Sequence, residues 1–121
     1  MTARKRTPQR RGERVAPPPA KDHWDVIFAT GDAVNGWDQL GRHAPGPTND
    51  CWEHLRADPL RTDRRQAALK GRLSRRQIGE KELEQWQYEV TGAGGVWYCP
   101  DPQERTVWLV DASVGHPNAS E

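Results

Sequence analysis

Three short stretches near the C-terminal end of the chain alternate apolar and polar residues, and turn formers separate them. This pattern restricts the fold more than any other feature. Trp86, Tyr88 and Val90 fall on one side of an extended chain, with Gln85, Gln87 and Glu89 on the other. A side-chain period of two is the signature of a strand buried on one face. Gly92-Ala93-Gly94-Gly95 then supplies a turn, residues 96–99 a second strand, Asp101-Pro102-Gln103-Glu104 another turn, and residues 105–110 a third strand. Strands joined by such short connections pair antiparallel, so the spacing predicts a meander. Its apolar face needs a cover from elsewhere in the chain.

The preceding segment offers that cover. In residues 22–29, Trp24, Val26 and Phe28 alternate with Asp25 and Ile27, which predicts a first strand. Thr30-Gly31-Asp32 has cap chemistry for a helix whose apolar positions are Ala33, Trp37 and Leu40. Gly36 and Gly41 weaken that helix by about 1 kcal/mol each relative to Ala. Pro45-Gly46-Pro47 ends it, Thr48 is placed to cap a second helix with Cys51, Trp52 and Leu55 on one face, and Asp58-Pro59 closes it. The expectation is an α+β domain over residues 22–121, with two N-terminal helices packed on a small, largely antiparallel sheet.

Charge is segregated. The 121 residues carry a formal net charge of +1, which conceals four blocks of alternating sign. Residues 1–21 and 61–81 are basic, and residues 22–60 and 82–121 are acidic. A bound phosphate senses charge within about 10 Å rather than the whole-chain balance. Residues 1–21, with Arg4, Lys5, Arg6, Arg10, Arg11 and Arg14 ahead of Ala16-Pro17-Pro18-Pro19-Ala20, have little to bury and are expected to form a disordered basic arm. The arm serves solubility or nucleic-acid binding. The second basic block lies within the folded part and is the stronger candidate for an anion-binding surface.

Several function classes drop out. No run approaches the ~18 apolar residues of a membrane span. The basic start lacks the apolar core of a secretory signal. Cys51 and Cys99 are too few for a disulfide scaffold. The chain is therefore expected to be soluble and cytoplasmic. Cys51 and His54 form one C-x-x-H pair, with Cys99, His23 and His116 as the other soft ligands, whereas a structural zinc site has two tight pairs. Cys51 is in phase with Trp52 and Leu55, which favours a core position, and neither a metal nor another cofactor is expected. The glycines at 92–95 join two strands and lack the Lys-Ser/Thr of a phosphate loop. No nucleophile signature is present.

Most of the tryptophans, at 24, 37, 52, 86, 97 and 108, fall in phase with core positions. Trp97 and Trp108 lie opposite Val96 and Val107, so both faces of the meander are partly apolar, and the second is available to a partner or a base. A basic stretch at 61–76 leads into strands bearing Tyr88, Glu89, Tyr98 and Arg105, with His116 beyond. Cleaving RNA without a metal requires a base for the 2′-OH, an acid for the departing oxygen, and cations around the phosphorane-like transition state. Those residue types are compatible with that chemistry.

Four ordered motifs carry a resemblance. They are G-W-D-Q-L at 36–40, L-K-G-R-L at 69–73, Q-W-Q-Y-E-V-T-G at 85–92, and V-W-Y-C-P-D…R-T-V-W-L…G-H-P at 96–117. Over about residues 22–121 the chain resembles the RelE/ParE superfamily of toxins from type II toxin–antitoxin modules, in its actinobacterial RelE-like branch. The resemblance implies two helices against a small antiparallel sheet and endonucleolytic cleavage of mRNA on the ribosome, with inhibition of translation. It also implies a cognate antitoxin as partner, in a toxin–antitoxin hetero-oligomer. Lys70 matches the Lys of L-K-G, Tyr98 the Tyr of W-Y, and His116 the His of G-H-P. The catalytic set expected is therefore His116, Lys70, Arg72, Tyr98 and Glu89. The RNA-binding set is Arg64, Arg65, Lys70, Arg72, Arg75, Arg76 and Arg105. Gly95 stands where the family has Arg, and Asn118 where it has Lys. Those two departures define an alternative, a degenerate relative that binds antitoxin or ribosome without cutting. A ParE-like inhibitor of DNA gyrase is the third reading.

Overall fold

The structure, a computed structural model, describes residues 10–15 and 23–115. The chain is α+β. Strand β1 (Asp25–Phe28) leads into helices α1 (Gly31–His43) and α2 (Pro45–Ala57). Then come β2 (Gln66–Ala68), a single 3₁₀ turn at Gly71–Leu73, and the strands β3 (Arg75–Ile78), β4 (Lys81–Glu84), β5 (Trp86–Glu89), β6 (Gly95–Asp101) and β7 (Thr106–Ser113). Five strands form one sheet in the order β1-β7-β6-β5-β2, and β3 and β4 form a separate hairpin. The meander β5-β6-β7 is antiparallel, but β1 runs parallel to β7, so the sheet is mixed.

One face of the sheet meets the helices. Val26 and Phe28 of β1, Tyr88 of β5, Val96 and Tyr98 of β6, and Val107 and Leu109 of β7 are buried there with Ala33, Leu40, Cys51 and Leu55 from the helices. Thr30 caps α1, its hydroxyl accepting the Ala33 N–H at 2.9 Å and donating to the Val110 carbonyl at 2.7 Å. One side chain thus ends β1, starts α1 and ties both to β7. Gly36 is more than a weak helix former: a Cβ on it would stand 1.8 Å from the Ala112 carbonyl oxygen, so its lack of side chain sets how closely α1 sits on β7.

Three expectations need correction. Thr48 does not cap α2, which begins three residues earlier with Pro45 in its first turn, where a missing N–H costs nothing. Thr48 is buried and donates its hydroxyl to the Leu40 carbonyl at 3.0 Å, fastening α2 to α1. Gln85 does not share the outer face with Gln87 and Glu89. It lies ahead of β5, is buried, and donates to the Leu73 carbonyl at 2.8 Å.

The third correction concerns the arm. Residues 10–15, expected to be disordered, lie along the outer edge of β1. The Gly12 and Val15 N–H groups donate to the Phe28 and Val26 carbonyls at 2.7 and 2.8 Å, and the Phe28 N–H donates to Glu13. Arg14 makes two bonds to the Asp25 carboxylate, at 2.6 and 3.2 Å, and Val15 is buried. An open strand edge leaves backbone groups without partners, and this segment satisfies them. The rest of residues 1–21 lies outside the described residues.

Candidate nucleic-acid interface

The other face of the sheet is only partly covered. The β3–β4 hairpin lies against it over the second half of β6 and the first half of β7, anchored by Lys81, whose ammonium donates to the buried Asp101 carboxylate at 2.8 Å and to Gln103 at 3.1 Å. Cys99 is buried as a result, and its thiol is pushed up to about 11 by burial. Beyond the hairpin the first half of β6 and the end of β5 stay open. Gln87 and Glu89 are exposed there, and Gly95 and Trp97 face them across the ladder in the register Gln87↔Trp97 and Glu89↔Gly95. Trp97 is half-buried and donates its indole N–H to the Gln87 side-chain carbonyl at 3.1 Å.

Two arginines lie near this open area, Arg65 by its backbone and Arg76 by its charge. The Arg65 carbonyl accepts the Glu89 N–H at 2.7 Å, which seats Arg65 beside Glu89 at the sheet edge. Arg76 lies on β3 and bears on Asp111, the residue opposite Trp97 on β7. Burial pushes the Asp111 carboxyl above its usual range; the Ala112 N–H opposes this, Asp32 adds to it, and Arg76 opposes it. Cations near a half-buried tryptophan and an exposed carboxylate suit a single-stranded nucleic acid, whose bases stack and whose phosphates need neutralising.

The remaining expected residues are scattered. Tyr98 is the clearest correction. It is fully buried on the helix-facing side, donates its hydroxyl to the Pro59 carbonyl at 2.8 Å and accepts from the Gln66 amide at 3.0 Å. Burial pushes its hydroxyl far up, so it does not line the open face. Arg105 lies in the β6–β7 turn with positive φ (49°), its guanidinium 5.2 Å from the Trp24 ring. The turn is at the opposite end of β6 from Gly95, roughly 20 Å away at a strand's rise per residue, so Arg105 and Glu89 do not share a site. Lys70 and Arg72 flank the start of the 3₁₀ turn, exposed, near the beginning of β5, where Leu69 donates to the Gln85 carbonyl. That is roughly 13 Å along β5 from Glu89. Arg75 is engaged by Glu82, bonding its carbonyl at 3.0 Å and approaching its carboxylate at 3.6 Å. Arg64 is exposed in the bend before β2. His116 lies outside the described residues.

A contact that the sequence did not suggest joins α2 to β5. His54 Nδ1 lies 2.7 Å from the Tyr88 hydroxyl, which burial pushes up to about 12. Sequence spacing marks His54 only as Cys51's neighbour, and no local pattern pairs it with a residue 34 positions away. Among the described residues no group of three or more His, Cys, Asp or Glu is placed to hold a metal ion, and no helix is long and apolar enough to cross a membrane. Compared with protein-family models and with curated proteins, the chain matches none.

Proposed function

We propose that this chain is the toxin of a type II toxin–antitoxin pair, a RelE-like endonuclease that cuts mRNA on the ribosome and halts translation. The observation that carries the proposal is the open part of the sheet, where the half-buried Trp97 and the exposed Glu89 lie between Arg65 and Arg76. The order strand, two helices, then an antiparallel meander whose last strand runs parallel to the first supports it as well. Arg65 and Arg76 hold the phosphates flanking the bond to be cut, and preorganised cations of this kind are worth about 10²–10³ in rate. The proton transfers fall to His116, and Lys70 and Arg72 hold the RNA further along the edge. The cognate antitoxin would cover the same basic face.

A second reading has its own observation. A Cβ at Gly95 would stand 2.9 Å from the Tyr88 carbonyl oxygen, so β6 opens with a residue that admits no side chain without a backbone shift. A degenerate relative that binds antitoxin or ribosome without cutting is favoured by that geometry.

Controlled expression in a bacterial host without antitoxin, with mapping of mRNA 5′ ends, separates the readings. Growth arrest with new ends in codon phase, lost in the His116→Ala and Lys70→Ala variants, is the expected result. Arrest without new ends, with the chain sedimenting on ribosomes, selects the degenerate relative. Arrest of DNA synthesis with translation intact selects the gyrase inhibitor.

A further inference from the structure

We infer that the recess over Gly95 is a guanine-binding subsite, in which Trp97 stacks on the base and Glu89 reads its Watson–Crick edge. The inference rests on the RNA-binding reading above and specifies the base. Gln87, Glu89, Gly95, Trp97 and the 91–94 loop line a recess of about 160 Å³, room for a single nucleobase. Its floor includes Gly95, where a Cβ would stand 2.9 Å from the Tyr88 carbonyl oxygen, so the paired strands keep this position bare. Its rim is held still: the Thr91 hydroxyl accepts the Gly94 N–H at 2.8 Å and the Ala93 N–H at 3.3 Å, and the Val90 and Thr91 N–H groups both donate to the Gly94 carbonyl.

Side chains stand roughly perpendicular to a sheet, so a planar group placed over Gly95 lies alongside the Trp97 indole two residues on. Its edge then meets Glu89, the residue opposite Gly95 in the ladder. Among the described residues no side-chain hydrogen bond or ion pair holds the Glu89 carboxylate. A carboxylate only accepts hydrogen bonds, and of the four bases guanine alone offers two adjacent donors, N1–H and the N2 amino group, on one edge. Adenine and cytosine set a ring-nitrogen lone pair beside their amino group, which a carboxylate repels. Uracil offers a single N–H. Gln87 adds to the selection. Because its carbonyl accepts the Trp97 indole N–H at 3.1 Å, its amide NH₂ is left to donate, and guanine O6 is an acceptor. Donor and acceptors on the protein therefore match guanine and mismatch adenine. The glycine that departs from the family pattern becomes, in this chain, the opening of the subsite.

The test is titration of the ¹⁵N-labelled full chain with guanosine 5′-monophosphate and adenosine 5′-monophosphate, following the Trp97 indole N–H, assigned by its loss in Trp97→Phe. The two probes carry the same phosphate and ribose, so their ratio isolates the base. Guanosine monophosphate is expected to bind at least fivefold more tightly, the lower end of what a bidentate base contact discriminates. Glu89→Gln, at an exposed position that leaves the fold intact, is expected to bring the ratio below twofold. Equal affinities, a ratio untouched by Glu89→Gln, or no saturable movement of the Trp97 signal with either nucleotide overturns the subsite. A guanine preference in a chain that arrests no growth keeps the subsite and removes the nuclease. Equal affinities in a chain that cuts mRNA do the reverse.

Discussion

Gly36 in α1 lies directly beneath Ala112 in β7, so close that a Cβ on the glycine would stand 1.8 Å from the Ala112 carbonyl oxygen. The helix can approach the strand only because that position is bare. Gly36→Ala is expected to cost about 3 kcal/mol, the upper end for overpacking, because backbone rather than a flexible side chain must move. Gly41 in the same helix has nothing within 4 Å of a Cβ. Gly41→Ala is expected to stabilise by about 0.4–1 kcal/mol through helix propensity and a stiffer unfolded chain. Urea denaturation of the two variants checks the opposite signs.

Tyr98 is a structural residue by its contacts. Tyr98→Phe removes the donor to the Pro59 carbonyl and the acceptor for the Gln66 amide, though that amide also reaches the Asp58 carbonyl at 3.2 Å. A loss of about 1–3 kcal/mol in urea denaturation is expected, with RNA affinity unchanged.

Arg65 and Arg76 are expected to contact phosphate and Arg105 is not. Each of Arg65→Ala and Arg76→Ala should lower the slope of log affinity for single-stranded RNA against log salt by about 0.7. Arg105→Ala should leave that slope as it is and cost about 0.5–1 kcal/mol of stability through its lost contact with Trp24. Binding isotherms at several salt concentrations distinguish the two behaviours.

Alkaline pH should unfold the protein. Burial raises Cys99 to about 11 and Tyr88 to about 12, both above the values they have in the unfolded chain. Between the unfolded and folded values the native state binds more protons, so stability falls as pH rises. The stabilising contribution is fully present below about pH 8.5, falls first through the Cys99 range and then between about pH 10 and 12 through the Tyr88 range. Cys99→Ala is expected to flatten the first part of the decline, measured as urea midpoint against pH.

Gly95→Arg restores the residue that the family resemblance leads one to expect. It is expected to lower stability by about 1–3 kcal/mol, because the new Cβ meets the Tyr88 carbonyl at 2.9 Å. A rise in growth arrest despite that loss would show that the chain lacks a phosphate contact at this position.

The core-forming elements were legible in the sequence because burial imposes its own period. Val26 and Phe28 of β1, Tyr88 of β5, Val96 of β6, and Leu40 and Leu55 of the helices all lie where strand and helix spacing put them. The same rule held a signal about Tyr98 that family likeness overrode: it is in phase with the buried Val96, two residues earlier. The β3–β4 hairpin was not legible. Arg75-Arg76-Gln77-Ile78 and Lys81-Glu82-Leu83-Glu84 are mostly charged, and their pairing rests on backbone bonds and a turn with Gly79 at φ 61° rather than on alternating apolar side chains.

For the candidate site, the exposed sides of β5 and β6 followed from alternation, since Gln87, Glu89 and Trp97 are out of phase with the core. Sequence by itself determined the main inward-facing apolar positions, though not buried polar ones such as Gln85, because one buried face repeats every two residues in a strand and about every 3.6 in a helix. Tertiary structure alone decided which charged residues become neighbours. The Arg65 backbone pairs with Glu89, and the Arg76 charge is brought within range of Asp111, through strand register and a hairpin laid across the sheet. Those contacts span many residues, and a charged side chain at the surface leaves no periodic mark of the partner it will meet.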